Sequence, residues 1–332
     1  MLQLNFMKRP PIPRTGIYEL YWQFAAERQA IFERRQAGQP APWTNDPILA
    51  HYKFCNVFRA TDRVSQFLIN HVIYTDQPRT PDDRLFQIIA FRFLSRESTW
   101  NRLIILLGHA PLIEDLRTGA LEQALATLAA QPEPIYTNAF ILCATDAYGR
   151  GKKHLNHLAL FEHMFLHDDL GMHLRQATSL QHVYDLLHSY PLMGDFMSYQ
   201  IAIDLNYSSL INFGENDFTK AGPGALRGIA KCFETCGDFT PEEVIFWMVA
   251  RQNEEFERLG LAFTGLYGRK LHAIDAQGLF CETDKYTRVA RPDLKSARAR
   301  IKQTFSPQST PQQVVLPPKW HVDPRRPACY NT

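Results

Sequence analysis

Arg59, Asp62, Arg63 and Gln66 fall at i, i+3, i+4 and i+7, the spacing that sets four side chains along one face of a helix. Two guanidinium groups, a carboxylate and an amide in one stripe could form a cleft wall. The arginines would hold a phosphate or carboxylate, Asp62 would orient them or accept a proton, and Gln66 would meet a base edge. Asn56 extends this polar stretch at its start. The plainer alternative is a solvated helix face with an internal ion pair. A second carboxylate, Asp217, stands just before Ala221-Gly222-Pro223-Gly224, a backbone able to pack close to a ligand or to another element; its plainer role is a turn cap. The run Cys281-Glu282-Thr283-Asp284-Lys285-Tyr286 sets an acid pair beside an amine and a phenol, although such charged runs usually face solvent.

Gly149-Arg150-Gly151-Lys152-Lys153 is a glycine-rich basic turn suggestive of a phosphate loop, but the GxxxxGK[ST] spacing is absent there and throughout the chain. His154, His157, His163 and His167 share one predicted helix, yet no HExxH arrangement accompanies them and the cysteines are remote. Neither a metal nor a cofactor is predicted. Cys232 and Cys236, one helical turn apart, read as buried free thiols.

The elements that must position these groups are mostly helical. Residues 15–38 carry Ile17, Leu20, Tyr21, Phe24, Ile31 and Phe32 at helical period. Residues 48–72 read as a second helix bearing the Arg59 stripe. Pro81 opens a third through Leu94, and residues 99–107 and 112–131 follow, the latter interrupted near Thr118-Gly119. Residues 134–154 supply the only good strand candidate of the first half. Helix resumes over 154–169, and again over 240–259 with Thr240 as N-cap and Pro241 at N1. Residues 268–288 mix strand-like and helical signals. The predicted organisation is an arm over residues 1–14, a helical domain over 15–305 and an extended Pro-rich tail over 306–332.

A chain of 332 residues with 45% hydrophobic content can bury a full core. Its net charge of +2 neither predicts nor forbids a locally basic groove. Six scattered cysteines, without a signal peptide or a membrane-length apolar run, lead to the expectation of a reducing cytoplasmic setting with no membrane partner.

Between residues 179 and 206, two helices meet at Pro191-Leu192-Met193-Gly194, the layout of a helix-hairpin-helix, which points N–H groups at a phosphate without reading sequence. Taken with the blocks at 42–68, 147–161, 191–208, 217–229 and 279–289, in that order, the chain resembles the alpha-glutamyl/putrescinyl thymine pyrophosphorylase family. That family also includes the helical domain attached to 5-hydroxymethyluracil DNA kinases. The resemblance implies a mainly α, helix-hairpin-helix DNA glycosylase-like fold with few short strands, and thymine hypermodification of viral DNA in a host cytoplasm.

In such pathways 5-hydroxymethyluracil in DNA is phosphorylated to a pyrophosphomethyl group, and an amine nitrogen then displaces pyrophosphate. The kinase step uses a P-loop, so elimination leaves the transfer step. Its partners would be double-stranded DNA carrying a modified thymine and a small-molecule amino acid or polyamine. Departure of pyrophosphate needs positive charge on its oxygens and a base for the incoming ammonium. Arg59, Arg63, Lys152, Lys153, Arg227 and Lys285, with Asn56 and Gln66, are the candidate substrate or phosphate binders. Asp62 or Asp217, with Glu282 behind them, is the candidate base. Met193, Gly194, Tyr199, Gly222 and Gly224 are expected at the DNA, where Tyr148 and Tyr207 would help hold an extruded base. Leu192 departs from the glycine usual in such hairpins, and no lysine follows Gly194 closely enough for Schiff-base chemistry. A monofunctional glycosylase, with Asp217 stabilising an oxocarbenium-like sugar, and a non-catalytic DNA-binding subunit are the alternatives.

Overall fold

In this computed structural model, residues 8–137, 146–294, 300–301, 303–307, 310–311 and 313–323 are described. They fall into two compact units, one made of the chain up to Asp62 and from Thr219 onward, the other of Arg63–Phe218. The fold is mainly helical with a single short sheet among the described residues, as the sequence predicts.

The first unit opens with strand β1 (Ile12–Pro13) and helix α1 (Tyr18–Gln36). The periodic aromatic face of α1 is buried. The Tyr21 ring lies 4.8 Å from Phe280 and the Trp22 ring meets Phe256 edge-on at 5.1 Å. Helix α2 (Pro47–His51) starts on Asp46, whose Oδ1 accepts the N–H groups of Ile48 and Leu49.

The second unit begins with α3 (Arg63–Phe67), which runs into a π-helical turn over Leu68–Ile73. Then come α4 (Pro81–Leu94), α5 (Glu97–Leu107), α6 (Ile113–Arg117) and α7 (Ala120–Ala129). Thr80 caps α4 with Pro81 at its first turn, and Gly119, at φ 77°, separates α6 from α7 where the sequence marks the break. After α8 (Lys153–Glu162) and α9 (Leu170–Arg175), helices α10 (Leu180–His188) and α11 (Asp195–Tyr207) are joined through residues 189–194. At the heart of this unit Arg92 of α4 and Asp204 of α11 make a buried two-point ion pair, with Nη2 3.0 Å from Oδ1.

The first unit resumes with α12 (Pro223–Cys232), strand β2 (Phe233–Thr235) antiparallel to β1, α13 (Pro241–Arg258) and α14 (Ala273–Ala290). Thr240 and Glu243 form the capping box of α13, with Pro241 at N1 as expected. Helices α12 and α14 lie against each other almost backbone to backbone. A Cβ on Gly228 would sit 2.1 Å from the Phe280 carbonyl oxygen, so only glycine lets the two approach. Beyond α14, residues 303–305 strap across 51–53: the Lys53 N–H donates to the Gln303 carbonyl and that of Phe305 to the His51 carbonyl, at 3.1 and 2.8 Å.

Two sequence readings are corrected. Residues 48–72 are not one helix. The chain leaves α2 at Tyr52, runs extended to Phe58, turns through a 3₁₀ segment at Arg59–Thr61, and becomes helical again only at Arg63. The reason lies in the acceptors: the N–H groups of Cys55, Asn56 and Arg59 go to the carboxylates of Glu282, Asp62 and Asp275, not to carbonyls one turn back. Residues 268–288, read as mixed, are from Ala273 onward part of the continuous helix α14. Of the strand candidate at 134–154, residues 138–145 lie outside the described residues, and the flanking described part is turn, bend and loop up to the start of α8.

Candidate functional site

In the first unit, the extended segment 52–62 is held by carboxylates. Glu282 Oε2 on α14 accepts the Cys55 N–H at 3.0 Å, and Asp62 Oδ1 accepts that of Asn56 at 2.8 Å. Asp275, in the first turn of α14, accepts the N–H of Arg59 on one oxygen and of His272 on the other, at 3.0 and 3.1 Å. Arg28 on α1 closes the segment from the other side, its Nε donating to the Cys55 carbonyl at 3.0 Å and its Nη2 to Asn56 Oδ1 at 2.5 Å. The Asn56 amide in turn donates to the Thr61 carbonyl at 2.8 Å. Each site residue thereby has its backbone or side chain fixed by another.

The two carboxylates differ in use. Glu282 also accepts from Lys285 Nζ at 3.0 Å, and the same ammonium lies 4.5 Å over the Phe54 ring, so Glu282 is a brace. Asp62 spends one oxygen on Asn56; the other takes no hydrogen bond among the described residues. Burial pushes the Asp62 carboxyl up to about 6, against the pull of the Asn56 N–H and the Arg28 guanidinium, while nearby Glu282 adds to the rise. The same two carboxylates hold the Cys55 thiol well above its ordinary range, so it stays protonated and is no nucleophile near neutral pH. What results is a carboxylate of unusually high basicity among Arg28, Arg59 and Lys285, suited to taking a proton beside an anionic group.

Of the sequence-predicted residues, Asn56, Arg59, Asp62, Glu282 and Lys285 are brought together here. Arg63 and Gln66 do not share a helical face with Arg59 and Asp62, because the 3₁₀ turn and the extended Asp62 intervene. Arg63 lies exposed against Glu97, and Gln66 is buried, so neither forms the cleft wall. Arg28 and Asp275 escaped sequence reading. Arg28 was one cation among many on the polar face of α1, and Asp275 sat in a segment whose helical start was not legible.

The remaining expectations resolve individually. Asp217 is exposed and caps a tight turn, its Oδ2 accepting the Gly214 N–H at 3.0 Å. Lys152 and Lys153 open α8, but the Asp146 carboxylate already fills the basic turn, accepting the N–H of Gly151 and the Asn156 amide, each at 2.9 Å. No external anion is needed there. Lys153 Nζ stands 4.4 Å over the Tyr136 ring. In the hairpin Gly194 is exposed, and Leu192 adopts φ 68°, the left-handed conformation a glycine would take. Asp195 sits in the first turn of α11, tied to the Tyr184 hydroxyl and His188 at 2.8 and 3.0 Å, and so presents a carboxylate where a phosphate was expected. Met193, Tyr199 and Tyr207 are core side chains and cannot serve as DNA contacts as placed, whereas Tyr148 hydrogen-bonds His163 at 2.9 Å. Gly222 caps α12 and Gly224 packs on Cys281, so both serve helix packing. Arg227 pairs with Asp284 at 3.1 Å.

Among the histidines, burial pushes His157 down to about 3 and its Nδ1 meets the Tyr136 hydroxyl at 2.9 Å. Among the described residues no group of three or more His, Cys, Asp or Glu could hold a metal ion, and no helix is long and apolar enough to cross a membrane.

Residues 15–296 match the family described as the 5-hmdU DNA kinase, helical domain. The chain belongs to that family. A 5-hmdU DNA kinase of Bacillus phage SP10 is 26% identical over 300 residues, which cover 84% of this chain and 46% of that protein. The chain thus spans less than half the length of this relative. No solved structure matches. The matched span includes the whole second unit, most of the first, and every residue of the Asp62 cluster.

Proposed function

We propose that this protein modifies 5-hydroxymethyluracil-derived bases in DNA, transferring an amine nitrogen to an activated pyrophosphomethyl arm with release of pyrophosphate. Membership of the 5-hmdU DNA kinase helical-domain family supports the substrate class. The observation that carries the reaction class is Asp62: a carboxylate with one oxygen open, pushed up to about 6, beside Arg28, Arg59 and Lys285.

The nitrogen lone pair attacks the methylene on uracil C5, forming a C–N bond as the C–O bond breaks and its electron pair leaves on a pyrophosphate oxygen. The proton shed by nitrogen passes to Asp62, and the cations stabilise the charge that develops on pyrophosphate. Glu282 and Asp275 act on the backbone that carries Asp62.

The test is a duplex oligonucleotide carrying pyrophosphomethyluracil, incubated with the protein and a panel of amino acids and polyamines, then digested to nucleosides for mass spectrometry. The expected outcome is one amine-substituted nucleoside with stoichiometric pyrophosphate, reduced about 10²–10⁴-fold in rate by Asp62→Asn. Abasic sites in place of the adduct would assign a glycosylase. Retention of DNA with every base unchanged, for every amine, would assign a binding subunit and sink the transfer reading.

A further inference from the structure

A second charged cluster lies in the first unit and plays no part in the proposed chemistry. Asp284 of α14, fully buried, is met by three cations: Lys231 Nζ at 2.9 Å, Arg227 Nε at 3.1 Å and Arg288 Nη2 at 2.6 Å. Buried charges are ordinarily matched one to one. Here one carboxylate faces three positive groups.

The surplus can be located. Lys231 is saturated by Asp284, by the Asp284 main-chain carbonyl and by the Thr287 hydroxyl, and its side chain is only 7% exposed. The lysine and the aspartate neutralise each other. Both arginines converge on the remaining oxygen, Oδ2. Arg227 gives it only Nε, and its two Nη groups meet no acceptor among the described residues on a side chain 27% exposed. Arg288 has a buried Nε with no acceptor, and its Nη1 reaches the Arg300 carbonyl at 3.3 Å. Two guanidinium groups held together with unfilled donors, one of them open to solvent, make a fork for an oxyanion.

The sign of the neighbouring chain selects the anion. Arg300, exposed, meets Arg288 through its main-chain carbonyl and so brings a further cation to the rim of the fork. A lone small anion needs one fork, whereas successive phosphates suit a fork with a further exposed cation beside it.

We infer that Arg227 and Arg288, held on Asp284, form an anchor for the sugar–phosphate backbone of DNA, distinct from the Asp62 cluster. The anchor rests on the proposed function only for the identity of the polyanion, and it needs no chemistry at the base.

The test uses the full chain and an unmodified fluorescent duplex, so it is independent of whether transfer occurs. Anisotropy titrations from 50 to 300 mM salt should give a log–log slope that falls by about 1 for each phosphate-contacting arginine removed. Arg227→Gln and Arg300→Gln should each lower the slope, with affinity about 5–10-fold weaker at low salt. Arg227→Lys keeps a cation against Asp284 while removing the Nη donors, so it should melt like the parent and still bind the duplex more weakly. Unchanged slopes for both glutamine variants, or parental duplex affinity in Arg227→Lys, would overturn the anchor. Inorganic pyrophosphate forms a separate arm. If it raises the melting temperature of the parent but not of Arg227→Gln, while duplex affinity is indifferent to Arg227, the fork binds a small phosphate ligand and the DNA assignment fails.

Discussion

Asp62 and Glu282 support the same extended segment with different reserves of hydrogen bonding. Glu282 braces the Cys55 N–H and Lys285, whereas Asp62 keeps an oxygen open and is pushed up to about 6 by burial. The sign of the stability effect follows. A carboxyl whose pKa is higher folded than unfolded binds more protons when folded, so its contribution is full below about pH 4 and is lost as pH rises to about 6. Replacing Asp62 by Asn keeps an oxygen for the Asn56 N–H and removes the charge. Thermal melts should therefore show Asp62→Asn equal to or above the parent at pH 7.5, with the difference shrinking toward pH 4.5. Single-turnover transfer by the parent should rise with pH through about 6 as the base form accumulates. A variant that melts far below the parent at pH 7.5 would make Asp62 a structural brace. Residue types made Asp62, Glu282, Asn56 and Lys285 legible as candidates, because acid, amide and amine side chains advertise their chemistry. What residue types could not show is which oxygen stays open, since that depends on which backbone N–H groups the folded chain turns toward each carboxylate.

Helices α12 and α14 carry the anchor fork, and α14 also carries Glu282 and Asp275, so their separation sets the position of both clusters. Gly228 has no room: an added Cβ would lie 2.1 Å from the Phe280 carbonyl oxygen and 3.0 Å from its Cα. At Gly224 the nearest atom is the Cys281 sulfur at 2.7 Å, which can rotate away. Gly228→Ala should thus cost about 1–3 kcal/mol and Gly224→Ala clearly less, read as urea midpoints with unchanged m-values. Equal costs would mean that the close approach is not what holds the pair. The sequence reading found the Ala221–Gly224 stretch as a place of close packing and Pro81 and Thr240 as helix starts, since those signals are local. It extended one helix through 48–72 because apolar periodicity there is helical. The periodicity lost to three carboxylates that claim the N–H groups of Cys55, Asn56 and Arg59, a tertiary effect that a one-dimensional pattern does not carry.

The two units place different demands on the whole chain. The first is discontinuous, built from both ends, while Arg63–Phe218 is one uninterrupted insertion. The first junction, Thr61-Asp62-Arg63-Val64, has no Pro, Gly or Ser, so composition gives no sign of the division. Each unit has its own buried charge cluster: Asp284 with its cations in the first, Arg92 with Asp204 in the second. Arg92→Met keeps most of the side-chain volume but takes the guanidinium from a carboxylate with no exposure to solvent. Such a loss typically costs about 3–5 kcal/mol, because a buried charge is left uncompensated. If the units have separate cores, the cost stays in the second. Hydrogen exchange should then accelerate in peptides from α4 and α11, while those covering α1 and α14 keep the parent's protection. Equal acceleration in all four helices would show one cooperative core spanning the chain. In that case the Asp62 cluster would share the fate of every buried pair in the insertion, and the mutational effects assigned above to single sites would have to be read against a common loss of stability.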